Sequence, residues 1–339
     1  MKKIRMAGLI LLAPLTLLCA CSGGVPLSFS ANWYRNTALG GSVGDTLEEL
    51  TYEVTFTPAE DTSGGFSVEY DTGSYTTKLI NSNLPLSDGS TKEGYIYTTE
   101  LTISGRYLLA GKASETFTDS VKSTVRFLPV SYGLQPVKSE KEVVSTSPET
   151  SSPASLEDAF RTYHYTYDVS YDAGLTTATA VYTDLTEYKT EEGETVRRDP
   201  ETREYEIEGD TTYLDNEQIL FALRGLTLTN AVAFRTLNTV TGMVTEVTNS
   251  SQASAPGSVK ESVDFMKDGE AVKQEIDAVE LSLSYRTAHS GQPQKLVYAA
   301  TTSTGDNTYR NVLLRMEVPV LQSLGTLVYR LTEADFTDK

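Results

Sequence analysis

The sequence predicts a mainly β protein: long antiparallel strands in a curved sheet or open barrel, with a two-sheet sandwich as the alternative, around one short helix near residues 215–225. Three observations predict it. Runs of period-two alternation fill most of the chain, and because successive strand side chains point to opposite faces, each run has one dry and one wet face. The composition is rich in Thr and holds 20 Tyr, residue types that suit a pleated sheet. At least eight such runs stand against one clear helix and a candidate short one at residues 156–160. Helices cannot cover that many apolar faces, so the faces must cover one another or curl around the helix.

Taken in order, Tyr52, Val54 and Phe56 alternate with Thr51, Glu53, Thr55 and Thr57. Tyr95, Tyr97, Leu101, Ile103, Tyr107 and Leu109 share one parity, with Thr98, Glu100, Thr102, Ser104 and Arg106 on the other. Phe117, Val121, Val125 and Phe127 repeat the pattern. Residues 139–155, rich in Ser, Thr, Pro and Glu, read as a domain linker or as a long surface loop between strands. Next, Tyr163, Tyr165, Tyr167, Val169 and Tyr171 face one way, with His164 and Asp168 on the opposite side. Residues 187–208 are charge-dense and predict an exposed hairpin or loop.

Asp215-Asn216-Glu217-Gln218 predicts a helix start, with Asp215 as N-cap and Gln218 as its capping-box partner. Ile219, Leu220, Leu223 and Leu226 fall on one helical stripe and Gly225 suits the stop. Strands resume with Val232, Phe234 and Val240, followed by a Ser/Ala/Pro/Gly loop at 249–258. Asp268-Gly269 is a hairpin turn signal leading into Val279, Leu281, Leu283 and Tyr285. Gly305-Asp306-Asn307 turns into Val312, Leu314, Met316, Val318 and Val320, and Leu327, Tyr329 and Leu331 make the last strand. Several runs exceed the usual five or six residues, and long twisted strands coil. That favours a curved sheet clasping the helix, with Ile219, Leu220 and Leu223 as its plug. A transmembrane barrel also alternates, but the many charges on the wet faces argue against it.

The N-terminus has the three parts of a secretory signal: Lys2, Lys3 and Arg5, an apolar stretch from Met6 to Leu18, and Ala20 before the cut. The stretch is shorter than the roughly 20 residues needed to cross hydrocarbon, and it carries Pro14. Its ending, Leu18-Cys19-Ala20-Cys21, resembles the lipobox of bacterial lipoproteins, a resemblance that covers only the first two dozen residues. It implies cleavage before Cys21 and diacylglycerol on the Cys21 sulfur. The protein would then be extracytoplasmic, anchored to the cell membrane by its acyl chains. The plan is then a signal peptide at 1–20, a short tether at 21–30 and a β-rich domain at 31–339, with a candidate sub-boundary at 139–155. The alternatives are an ordinary signal peptide cut near Ala20 and an uncleaved anchor. Cys19 and Cys21 are the only two cysteines, so the mature chain can form no internal disulfide, and acylation accounts for the one that stays.

Cleavage removes three of 28 Lys and Arg and none of 46 Asp and Glu, leaving 25 against 46, a net charge of −21. No basic stripe is present, which excludes nucleic acid as a partner. Anionic lipid headgroups repel the same charge, so any hold on the membrane falls to the acyl chains. No catalytic constellation stands out, and no cofactor or metal is implied: with His164 and His289 alone, Cys/His and three-His zinc sites are ruled out. His289 beside Ser290 reads as a solvated loop histidine, and His164 near Asp168 as an exposed cross-strand contact. The Tyr163–Tyr171 ladder reads as a core face or as an aromatic platform for glycans. The function classes left are a non-catalytic envelope lipoprotein that binds or scaffolds another macromolecule, a carrier of a lipid or other hydrophobic ligand, and a glycan-binding surface protein.

Overall fold

The computed structural model describes residues 25–26, 39, 41–60, 65–189, 194–209, 212–224, 232–237, 244–249, 259–285, 293–300 and 308–337. The strands of the first half are β1 (Val25–Pro26), β2 (Thr46–Pro58), β3 (Phe66–Tyr70), β4 (Gly73–Pro85), β5 (Thr91–Leu109), β6 (Lys112–Ala113), β7 (Phe117–Phe127) and β8 (Pro136–Pro148). Then come β9 (Phe160–Tyr171), β10 (Thr177–Asp184), β11 (Tyr188–Lys189), β12 (Thr195–Val196) and β13 (Glu201–Glu206). A 3-10 turn at Asn216–Gln218 runs into helix α1 (Ile219–Ala222). The rest is β14 (Val232–Leu237), β15 (Val244–Asn249), β16 (Val259–Lys267), β17 (Glu270–Tyr285), β18 (Gln294–Ala299), β19 (Leu313–Pro319) and β20 (Gly325–Phe336).

Five strands close on themselves. β16 pairs with β17, β17 with β18, β18 with β19 and β19 with β20, all antiparallel, and a short parallel contact of β20 with β16 shuts the ring. The hairpin at Asp268-Gly269 starts this barrel: both residues have positive φ, 50° and 81°, the backbone that a two-residue turn between twisted strands requires. Residues opposite one another in a ladder share a face. The inner face therefore carries Val263, Phe265, Ile276, Ala278 and Val297, and it is bonded by Arg315 Nε donating to Glu261 Oε1 at 2.8 Å.

The sheet does not stop there. β20 has a second edge, which pairs with β2 along its length, and the ladder continues through β4, β5, β7, β8, β9, β10 and β13. The outer layer coils back so that its dry face looks at the outside of the small barrel. Leu296, Val297, Tyr298 and Ala299 are consequently all buried, since β18 has the barrel interior on one side and the second layer on the other.

The segment from Tyr213 to Arg224 fills the space between the layers. Phe221 packs its ring against Tyr95, Tyr97 and Phe127 from β5 and β7, at centroid distances of 6.3, 5.6 and 5.1 Å. From the other side the Tyr298 hydroxyl donates to the Leu220 carbonyl at 2.9 Å. The predicted arrangement, a curved sheet around this helix, is what the chain forms.

Five details depart from expectation. Residues 139–148 are neither linker nor loop but most of β8, hydrogen-bonded between β7 and β9. Its inward Ser139 is buried and bonds Asp215, so a polar side chain occupies a core position and hides the alternation. The helix is shorter than 215–225, and Asp215 does cap it by accepting from the Glu217 N–H at 2.8 Å. Gln218 is no capping-box partner, because its side chain donates to the Leu134 carbonyl at 2.8 Å. Residues 156–159 form a turn, not a helix, with Ser155 Oγ accepting from the Asp158 N–H. Val25 and Pro26, inside the expected tether, pair in parallel with β14. Leu226, Gly225, Val240 and Gly305-Asp306-Asn307 lie outside the described residues, as does the 250–258 part of the loop.

Candidate functional site

The enclosure between the layers is packed in the middle and open beside the plug. Along β5 the inward residues pass from Tyr95 and Tyr97, which touch Phe221, through Thr99 and Leu101, to Tyr107 in a separate aromatic cluster with Phe66, Phe117 and Phe160. On β7 the same passage runs from Phe127 and Val125 through Val121 to Phe117. At the level of Leu101 and Val121 there is a half-open cleft of about 190 Å³. The plug contributes Asn216, Glu217, Ile219 and Leu220 to it, and the small barrel contributes Gln294, Met316, Val318 and Tyr329.

Its walls are mostly apolar. Leu101, Val121, Leu220 and Val318 are only half-buried although they sit on inward positions. Tyr75 and Tyr329 meet edge to face with centroids 5.5 Å apart. Burial raises both phenols well above their ordinary value, so the rings stay neutral at any physiological pH.

The polar rim is fixed by a buried network. Lys141 Nζ donates to Glu217 Oε1 at 2.9 Å and the Asn216 amide donates to the same oxygen at 3.0 Å. Burial works to raise the Glu217 carboxyl, but the Lys141 ammonium and the donors around it hold it below the usual carboxylate range. One residue pair back, Asp215 accepts from Ser139 Oγ and from the Tyr171 hydroxyl, each at 2.5 Å. Its carboxyl is shifted upward, first by burial and then by the Glu217 charge. The start of the plug is thus tied to β8 and β9 by three side chains, which holds Asn216 and Glu217 at the rim.

His164 sits on an exposed strand face, where Nε2 lies 3.1 Å from Glu142 Oε1 across the ladder; its contact is therefore Glu142 rather than Asp168. The tyrosine ladder is divided: Tyr167, Val169 and Tyr171 are buried, and Tyr163 is exposed. Those buried rings belong to the core face and offer no platform. Cys21, His289 and Ser290 lie outside the described residues. Among the described residues no group of three or more His, Cys, Asp or Glu is placed to hold a metal ion, and no helix is long and apolar enough to cross a membrane.

The cleft escaped the sequence reading because its walls come from six strands and the plug, brought together only by the coiling of the sheet. The one available signal was that Leu101, Val121 and Val318 share inward parity with core residues.

No family model matches the chain, and no curated protein matches it. Among solved structures it is similar to the crystal structure of a β-barrel-like protein of a domain of unknown function, DUF1849, from Brucella abortus. The TM-score is 0.46 at 11% identity, over 88% of this chain and 100% of that one.

Proposed function

We propose that this protein is a lipid-anchored envelope lipoprotein whose extracytoplasmic β domain binds or scaffolds another macromolecule and carries out no chemistry of its own. The observation that carries this reading is the plug. Ile219, Phe221, Ala222 and Leu223 are each at most 1% exposed, so the space they occupy between the layers is filled by the chain itself. A solid, strongly acidic body suits a surface-presenting role better than transport of a whole lipid. The anchor rests on Leu18-Cys19-Ala20-Cys21 and on the cationic and apolar residues before it.

The test is to replace Cys21 with Ser and fractionate cells. The variant is expected to leave the membrane fraction and to lack the mass of the acyl chains. Unchanged mass and unchanged membrane attachment would sink the anchor. A second reading, a carrier of a small hydrophobic ligand, is supported by the apolar cleft beside the plug. The glycan-binding reading loses its support with Tyr167 and Tyr171 in the core.

A further inference from the structure

We propose that the cleft between the plug and the walls of β4, β5, β7, β18, β19 and β20 is a binding site for a compact apolar molecule of about one ring that bears a hydrogen-bonding substituent. The proposal rests on the second reading above and gives it a site and a ligand class. Size selects the class. A dry cavity of about 150 Å³ lined by apolar side chains takes up benzene, and this cleft holds about 190 Å³. That admits one ring with a substituent and excludes a two-chain lipid, whose pocket needs several hundred Å³.

Chemistry agrees with size. Leu101, Val121, Leu220 and Val318 present apolar surface on inward positions that nothing among the described residues covers completely, and an apolar guest would remove that surface from water. Tyr75 and Tyr329 offer ring edges and faces for an aromatic guest. The polar groups stand at the rim. Asn216 and Glu217 lie on the plug, Thr99 lies beside them with its hydroxyl 2.8 Å from Ser123 Oγ, and Gln294 comes from the barrel side. Lys141 neutralises Glu217, so the rim orients a neutral donor or acceptor instead of capturing a cation. The ties of Asp215 to Ser139 and Tyr171 keep the rim in place before any ligand arrives.

The test uses the full chain carrying Cys21→Ser, with p-cresol and dodecanoate as probes, titrated by ligand-observed NMR. p-Cresol is expected to bind saturably at one site per chain. Val121→Trp, which fills the cleft, is expected to weaken it at least tenfold. Leu101→Ala, which enlarges the cleft, is expected to shift preference several-fold from p-cresol toward 2-naphthol, and this gain still reads out if the tryptophan variant folds poorly. p-Cresol binding that Val121→Trp leaves unchanged would place the site elsewhere and overturn the proposal. Dodecanoate binding tighter than p-cresol, and lost in Val121→Trp, would overturn the one-ring class while keeping the carrier reading. If neither probe binds, both fall.

Discussion

Arg224 and Glu48 form a fully buried ion pair: Arg224 Nη1 donates to Glu48 Oε2 at 2.9 Å, Nη2 bonds the other carboxylate oxygen, and both side chains are at most 2% exposed. The pair joins the end of the plug to β2, and the guanidinium also lies 5.0 Å over the Phe221 ring. Glu48 faces inward because it shares the parity of Leu50, Tyr52 and Val54, and a register shift between Thr46 and Glu48 turns Leu47 inward beside it. An irregularity of this kind re-aims a side chain, here Leu47, that simple alternation would send to solvent.

Removing one partner should cost more than removing both. Arg224→Met leaves an uncompensated buried carboxylate and should lower stability by about 3 to 5 kcal/mol. Adding Glu48→Leu should recover most of that loss. Urea denaturation of both variants checks it, and a double variant no better than the single would show that the pair itself stabilises the fold.

The plug should behave as core. Leu223 is buried, and Leu223→Ala should cost about 2 to 5 kcal/mol. Because the residue does not itself line the cleft, p-cresol binding should change little. A loss under 1 kcal/mol would mean that the segment packs loosely.

Asp119 should make stability fall as pH rises from about 4 to about 6. It accepts from the Thr146 N–H at 2.7 Å, yet burial outweighs that bond and pushes the carboxyl from 3.8 up to about 6. The folded chain thus holds this proton more tightly than the unfolded one. The stabilisation is complete below about pH 4 and is lost as pH passes about 6. Asp119→Asn keeps an acceptor for Thr146 without the charge. It should gain about 1 to 2 kcal/mol over wild type at pH 7.5, a figure reduced for partial exposure, and almost nothing at pH 4. Equal differences at both pH values would refute it.

What could be read from the residues alone was local and periodic. Tyr95 to Leu109 and Phe117 to Phe127 announce strands because one face of each is dry and the other wet, and Asp215 announces a helix start because its side chain can accept an N–H left free by the first turn. β4 and β8 were harder to see because Thr77, Asn81 and Ser139 take inward positions. Hydrogen bonds make Asn81 and Ser139 tolerable there, Asn81 with Gly41 and Glu93, Ser139 with Asp215. β18 was invisible because Leu296 to Ala299 are covered on both faces, which erases the period of two. Closure of β16 on β20, the pairing of Glu48 with Arg224 and the cleft beside Leu220 were decided by tertiary structure alone. Each depends on which strands meet after the sheet has coiled, through contacts such as that of Glu48 with Arg224, 176 positions apart, that no local pattern encodes.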